Sequence, residues 1–164
     1  MGADQPGGAT RSRTTVGEWV VVAATGVLAV GSFLPWYTLP VKVLLDAGVQ
    51  RSFTGWSTGF APTTLLPLVF ALAIAVPTVL ERVADLHVPE RIAGIRCTQL
   101  RLILAAGALL LVVAEMATTR EYGPVALVRS PGMWLTLFGA AALLVGVVLD
   151  HTRSGVANAP KRAR

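Results

Sequence analysis

The chain contains four long runs of apolar residues, separated by shorter polar and charged stretches. The runs cover residues 19–36, 60–80, 100–117 and 133–149. A helix needs about 20 predominantly apolar residues to cross the ~30 Å hydrocarbon core of a bilayer, and runs of about 18 are candidates. The pattern therefore predicts an all-α membrane fold with four transmembrane helices, which span residues 17–36, 61–80, 99–119 and 132–149.

Composition supports the membrane class independently of the pattern. Of the 164 residues, 54% are hydrophobic and only 14% are charged, and the mean hydropathy is +0.64. A soluble domain carries about 25% charged residues. The predicted spans use nearly the whole length, which leaves one membrane domain at residues 16–150 and no room for a soluble catalytic domain. We predict a disordered tail at residues 1–15 and a basic tail at residues 151–164.

The distribution of Lys and Arg predicts the orientation. Ten of these residues lie in the two tails, the second connection and the start of the third span, and four lie in the first and third connections. Positive residues close to span ends favour the cytoplasm. We therefore predict a multi-pass plasma-membrane protein with both termini cytoplasmic. The net charge of +5 is explained by these flanking residues and by anionic lipid headgroups, so we predict no nucleic-acid partner.

The first span has some features of a cleaved secretory signal. A short basic region precedes it, and the small residues Ala29 and Gly31 have the spacing of a cleavage site. The apolar run continues through Trp36, however, which is longer than a typical signal core. We therefore predict an uncleaved span, and cleavage would leave the orientation of the other three unchanged.

The first external loop is predicted to form a short β-hairpin-like element. Residues 39–45 and 49–54 are β-rich, and the sequence Asp-Ala-Gly at residues 46–48 is a turn signal. The aromatic residues in and around this loop allow two interpretations. They form either an interfacial aromatic belt or a docking surface for another envelope protein. These residues are Trp36, Tyr37, Phe53, Trp56 and Phe60.

Glu115 is the strongest candidate for a functional residue. It lies inside the third span, about one turn before its outer end, and an ionisable group in a span is expensive and often functional. Paired with an arginine, it would be an ionised structural residue, and its position near the outer interface also allows a carboxylate that is simply exposed to water. Without a partner, it is a proton- or cation-coupling site. The external loops offer three candidate partners: Arg51, Arg120 and Arg129.

The sequence contains no constellation of catalytic residues. We find no P-loop, no GxGxxG motif, no HExxH motif, no nucleophile elbow and no paired carboxylates within the spans. Cys97 is the only cysteine, so it forms no intramolecular disulfide, and His87 has no second ligand at metal-binding spacing. We therefore predict that the protein is not an enzyme and that it binds no cofactor or metal.

Two short elements around the first external loop carry a resemblance. The sequence FLPWY at residues 33–37 and TGWS at residues 54–57 are similar to a pattern in small four-helix membrane proteins of actinobacteria. In that family an L-P-W element closes the first span and a G-W element precedes the second. The resemblance covers residues 16–80. It implies an envelope membrane protein with no assigned reaction, and it adds Trp36, Gly55 and Trp56 to Glu115 as candidate functional residues.

Two functional hypotheses follow. The first is a non-enzymatic accessory or scaffold subunit of a membrane complex, whose partners are the bilayer and other membrane or envelope proteins, or copies of itself. The second is a small oligomeric transporter or channel that uses Glu115 for proton or cation coupling. Four spans are too few to enclose a wide pore, so this second hypothesis requires an oligomer.

Overall fold

The computed structural model describes residues 15–40, 52–57, 61–83, 91–92, 95–122 and 125–157. This part of the chain contains four α-helices: α1 (Val16–Phe33), α2 (Ala61–Val83), α3 (Cys97–Ala117) and α4 (Pro131–Ala157). Each helix is long and apolar enough to cross a membrane. The predicted fold class, an all-α membrane fold with a small β element, is confirmed.

Short strands connect the helices. They are β1 (Pro35–Thr38), β2 (Ser52–Thr54), β3 (Arg91–Ile92), β4 (Ile95–Arg96), β5 (Glu121–Tyr122), β6 (Val125–Ala126) and β7 (Val128–Arg129). β1 lies between β2 and β7 in an antiparallel three-stranded sheet, while β3 pairs with β4 and β5 with β6. The three-stranded sheet therefore joins the first and third connections at one end of the bundle, which we call the sheet end.

The helices form an antiparallel ring in which α1 contacts α2 and α4, and α3 also contacts α2 and α4. α1 ends and α4 begins at the sheet end, because β1 and β7 pair with each other there. At the opposite end, which we call the tail end, α1 begins and α4 passes Asp150. The apolar core fills the centre of the ring. Its fully buried members include Leu28, Ile74, Ala105, Val112, Ala140 and Leu143.

The ends of α1 are set by local sequence. The Thr15 side chain accepts a hydrogen bond from the Glu18 N–H (3.2 Å), and the Glu18 carboxylate accepts one from the Thr15 N–H (3.0 Å), which makes a capping box. The helix ends at Phe33 because Leu34 precedes Pro35, and the residue before a proline is disfavoured in α-helical geometry. The first span was predicted to continue to Trp36, which instead lies in β1.

Other boundaries also differ from the prediction. β2 lies within the second predicted strand of the first external loop, but its partner is β1, which begins four residues before the predicted strand at 39–45. Residues 41–51 lie outside the described residues. α4 continues to Ala157 and so extends past residue 149, the predicted end of the fourth span. α2 is continuous through Pro67 and Pro77.

The closest helix approach is between α1 and α4, and it depends on glycine. A Cβ added at Gly17 would lie 2.9 Å from the Gly146 carbonyl oxygen, and one added at Gly139 would lie 3.0 Å from Leu28 Cγ. Small residues allow backbones to approach and gain van der Waals contact in a membrane. Gly139 faces α1, and Gly107 faces Phe70 of α2.

The tail end is held by polar contacts among three helices. Arg101 of α3 forms ion pairs with Glu81 of α2 (3.2 Å) and Asp150 of α4 (3.9 Å). The Asp150 carboxylate also accepts a hydrogen bond from the Thr15 hydroxyl (3.2 Å). The negative charge of Asp150 near the C-terminal part of α4 is therefore balanced by Arg101, a residue from a different helix.

Candidate functional site

The sheet end contains a second buried cluster, separate from the core of the bundle. Trp36, Tyr37 and Met133 are almost completely buried there, and three partly buried residues pack against them: Phe53, Met116 and Leu127. The members come from β1, β2, α3, α4 and the segment between β6 and β7. The cluster therefore attaches the three-stranded sheet to the ends of two helices.

Glu115 lies beneath this cluster, and its side chain is only 3% exposed. Its carboxylate is held by two parallel hydrogen bonds from Arg120: Nε to Oε1 at 2.9 Å and Nη2 to Oε2 at 2.7 Å. This bidentate geometry is the strong, directional form of an arginine–carboxylate pair. Among the described residues, Glu115 is the one buried acidic side chain. Of the alternatives raised by the sequence, this is the geometry in which Glu115 is paired with an arginine.

Tyr37 is the third member of this network. Its hydroxyl donates to Glu115 Oε1 at 3.2 Å and lies 3.5 Å from the Glu115 carbonyl oxygen. Burial raises the pKa of Tyr37 to about 12, and the negative charge of Glu115 and the hydrogen bond to it act in the same direction. The hydrogen bond that Arg120 donates to the Glu115 carboxylate raises the pKa of Arg120 above its usual value. Tyr37 is therefore a neutral donor, and Arg120 is a permanent cation.

The C-terminus of α3 is capped by groups from the following segment. The Thr118 hydroxyl donates to the Glu115 carbonyl (2.8 Å), and Arg129 Nη2 donates to the Met116 carbonyl (2.6 Å). Cations are favourable beside the last carbonyls of a helix, where the macrodipole is negative. Arg129 also pairs with Tyr37 in the register of β1 and β7, so this strand connects the sheet directly to the end of α3.

Trp36 is fully buried, and its indole N–H donates to the Gly31 carbonyl at 2.9 Å. Its own carbonyl accepts from the Ser130 N–H at 2.8 Å, while the Ser130 hydroxyl donates to the Thr38 hydroxyl at 3.1 Å. Trp36 thus connects the end of α1 to the start of α4. Since no part of its side chain is exposed, it serves neither as part of an aromatic belt nor as a docking residue.

Gly55 and Trp56 lie at the corner between α1 and α2. The Gly55 carbonyl accepts from the Thr64 hydroxyl at 2.5 Å, and a Cβ at Gly55 would meet Thr64 Cγ2 at 2.5 Å, so this position excludes a larger residue. The Trp56 indole donates to the Ser32 hydroxyl at 3.3 Å and stacks on Phe33 with 5.3 Å between ring centroids. Trp56 is 43% exposed, more than the other candidate aromatic residues that the structure describes, which are buried or partly buried.

The structure brings the four candidate residues to the same end but not into one cluster. Trp36 belongs to the buried cluster, and Glu115 lies beneath that cluster in its ion pair with Arg120. Gly55 and Trp56 lie at the corner between α1 and α2. Of the three arginines considered, Arg120 binds Glu115 and Arg129 binds the Met116 carbonyl, while Arg51 lies outside the described residues, as does Phe60. Sequence reasoning missed Tyr37 as a partner of Glu115, because no spacing rule relates residues that are 78 positions apart.

Comparisons with protein-family models, with curated proteins and with solved structures find no match to this chain. The arrangement of the described residues is therefore the basis for a functional assignment. No group of three or more His, Cys, Asp or Glu residues within these ranges is placed to hold a metal ion.

Proposed function

We propose that this integral membrane protein is a non-enzymatic accessory or scaffold subunit of a membrane complex, in a bacterial plasma membrane and with both termini in the cytoplasm. In that orientation the three-stranded sheet faces the outside. We propose that the sheet end is the surface that another protein of the same membrane contacts. The observation that supports this most is the ion pair between Glu115 and Arg120, together with the hydrogen bond from Tyr37.

This network makes the sheet end a fixed platform. β1 is attached to α3 through Tyr37 and Glu115, and β7 is attached to the same helix end through Arg129. An isolated pair of strands is marginally stable in water, so a three-residue strand such as β2 depends on these attachments. A surface that is held in one conformation loses little entropy when a partner binds, which favours a scaffold.

The same network argues against the transporter hypothesis. A coupling carboxylate must exchange a proton or cation with its surroundings. Both oxygens of Glu115 already accept hydrogen bonds from a guanidinium, and one of them also accepts from Tyr37. Ion pairs at the tail end connect α2, α3 and α4. Movement of α3 against its neighbours would break the ion pairs of Arg101 at the tail end and the hydrogen bonds from Tyr37 and Arg129 at the sheet end.

The proposal is tested by purifying the tagged protein from its native membrane in a mild detergent and identifying co-purifying proteins by mass spectrometry. We expect a reproducible partner in stoichiometric amount. Val128→Asp, on the exposed face of β7, should reduce its recovery, because the added charge would be buried in the contact. Thr152→Asp, exposed near the C-terminal part of α4, is the matched control at the tail end and should leave recovery unchanged.

Two results would oppose the proposal. A homo-oligomer without any partner would favour transport, and Glu115→Gln would then be the first variant to assay. The second result is that wild type and Val128→Asp recover a partner equally, whereas Thr152→Asp loses it. This result would indicate that the partner contacts the tail end.

A further inference from the structure

The four tryptophans fall into two groups according to their hydrogen bonds. The indole N–H groups of Trp36 and Trp56 donate to the protein, to the Gly31 carbonyl and the Ser32 hydroxyl. Trp19 and Trp134 are 65% and 48% exposed, and no hydrogen bond among the described residues uses either indole N–H. An amide-like N–H transferred into hydrocarbon without an acceptor costs several kcal/mol, so these two groups require water or polar lipid atoms.

Trp19 and Trp134 lie at opposite ends of the bundle. Each is the fourth residue of its helix, in α1 and α4, and these helices are antiparallel. Side chains on a helix tilt towards its N-terminus. The two indoles therefore lean away from each other, one towards the tail end and one towards the sheet end.

The separation of the two tryptophans matches a bilayer. A Cβ at Gly31 would lie 3.1 Å from the Thr136 backbone nitrogen, which puts Trp134 near the level of Phe33 in α1. Trp19 and Phe33 are fourteen positions apart. At 1.5 Å per residue this corresponds to about 21 Å along the helix axis. The outward reach of both indoles extends this towards the ~30 Å of a hydrocarbon core.

The surface of the bundle changes from apolar to polar at the depths of Trp19 and Trp134 along the bundle axis. Glu18 is adjacent to Trp19, and Asp150 lies beside Gly17, so the ionic contacts of the tail end begin at this level. At the other end, Arg129 binds the Met116 carbonyl, which puts the end of α3, with Glu115, beside the start of α4. The large exposed residues between the levels are apolar and include Val22, Val30, Val69, Leu110, Phe138 and Val145.

We propose that Trp19 and Trp134 mark the two boundaries between hydrocarbon and lipid headgroups, so that the bilayer covers the bundle between them and the three-stranded sheet lies in the headgroup layer. Tryptophan is enriched at this depth because its ring is amphipathic. The placement puts the ion pair between Glu115 and Arg120 at the boundary, where a charge costs less than at the bilayer centre. This placement does not depend on the proposed accessory role, because the partner that it concerns is lipid.

The test is fluorescence quenching in vesicles of phosphatidylcholine that carry bromine on the acyl chains, either near the headgroup or near the bilayer centre. Wild-type protein is compared with Trp19→Phe and Trp134→Phe, and the difference gives the signal of each tryptophan. A triple variant with Phe at positions 19, 56 and 134 retains the buried Trp36 as an internal control. Circular dichroism verifies that each variant has the wild-type helix content.

We expect bromine near the headgroup to cause the greater loss of fluorescence for both tryptophans, and the Trp36 signal to change little. Wild-type protein must show the same depth preference, and stronger quenching of the wild type by bromine near the bilayer centre would already contradict the placement. Stronger quenching of either tryptophan by bromine near the bilayer centre would overturn the placement. Absence of quenching by both lipids would also overturn it, since the side chain would then contact protein rather than lipid.

Discussion

Glu115 and Arg120 differ in exposure, and this decides how much stability is lost when one of them is removed. The Glu115 side chain is 3% exposed and cannot reach water, whereas Arg120 is 35% exposed and can turn outwards. A buried charge that loses its counter-ion retains its desolvation cost without the compensating attraction. The two halves of the pair should therefore contribute unequally when they are removed one at a time.

We expect Arg120→Met to destabilise the protein more than Glu115→Gln. Arg120→Met should cost about 2–4 kcal/mol, below the ~3–5 kcal/mol of a fully buried pair because Arg120 is partly exposed. Glu115→Gln should cost about 1–2 kcal/mol, since the amide stays polar and Arg120 can be solvated. Unfolding in mixed micelles measures both, with the exposed Glu121→Gln as a control. A larger cost for Glu115→Gln would contradict this account of the pair.

Tyr37 should titrate far above an ordinary phenol. The protein has two tyrosines, so Tyr122→Phe leaves Tyr37 as the only one. We expect its ultraviolet absorbance change at a pKa of about 12, and a lower value in Glu115→Gln that still exceeds 10, because burial is the larger cause. A folded-state pKa above the unfolded value of about 10 gives stability that is complete below pH 10 and is lost as the pH rises towards 12. A midpoint near 10 in folded protein would show that the hydroxyl is accessible to water.

Gly55 should not tolerate even a methyl group. A Cβ there would meet Thr64 Cγ2 at 2.5 Å and the Ser32 carbonyl oxygen at 3.0 Å. Overpacking of this kind costs about 1–3 kcal/mol, which is the loss we expect for Gly55→Ala in the same unfolding assay. Thr64→Ser keeps the hydroxyl but removes Cγ2, so Gly55→Ala should cost less in that background. Equal costs in the two backgrounds would argue against this contact as the cause.

At the scale of elements, α1 and α4 approach most closely, and glycine makes this possible. In a bilayer, apolar burial does not drive helices together, so their association depends on close packing. Small residues occur in the first, third and fourth spans, but the sequence does not show which pairs of helices they bring together. The rotation of each helix about its own axis and the order of the helices around the ring decide which helices approach closely. Both depend on the packing of all four helices.

We predict that Gly17→Ala weakens the contact between α1 and α4. The new Cβ would lie 2.9 Å from two backbone atoms, the Gly146 carbonyl oxygen and the Asp150 nitrogen, which cannot move without displacing α4. The thermal midpoint in detergent should fall, by the equivalent of about 1–3 kcal/mol. Gly26→Ala is the matched control, because nothing lies within 4 Å of its Cβ position. An equal fall in both variants would point to a general effect of the substitution.

Four helices could be predicted from the sequence because each apolar run is long, and only the third contains charged residues, Arg101 and Glu115 near its ends. The residues at which the helices end were harder to predict from hydrophobicity. Apolar residues continue past Leu34, so hydrophobicity alone extended the first span to Trp36, although the position of Pro35 was sufficient to end it. The pairing of β1 with β7 and the bond from Tyr37 to Glu115 join distant segments, and local patterns carry no information on such contacts.

At the scale of the whole molecule, polar contacts hold both ends of the apolar bundle. At the tail end, Arg101 of α3 pairs with Glu81 and Asp150, and at the sheet end Tyr37 of β1 donates to Glu115 of α3, which is itself paired with Arg120. No described buried side-chain nitrogen or oxygen lacks a hydrogen-bond partner. A bundle fixed at both ends suits a protein that presents a surface better than one that must alternate between conformations.

The most direct test of the proposed role is site-specific photocrosslinking in the native membrane. A photoreactive residue replaces Ser52, which is exposed on the edge strand β2, or Thr152, which is exposed on α4 at the tail end. We predict that position 52 gives one discrete adduct with a second membrane protein and that position 152 does not. An adduct from position 152 alone, or only lipid and self-adducts from position 52, would contradict the proposal that the sheet end contacts a partner.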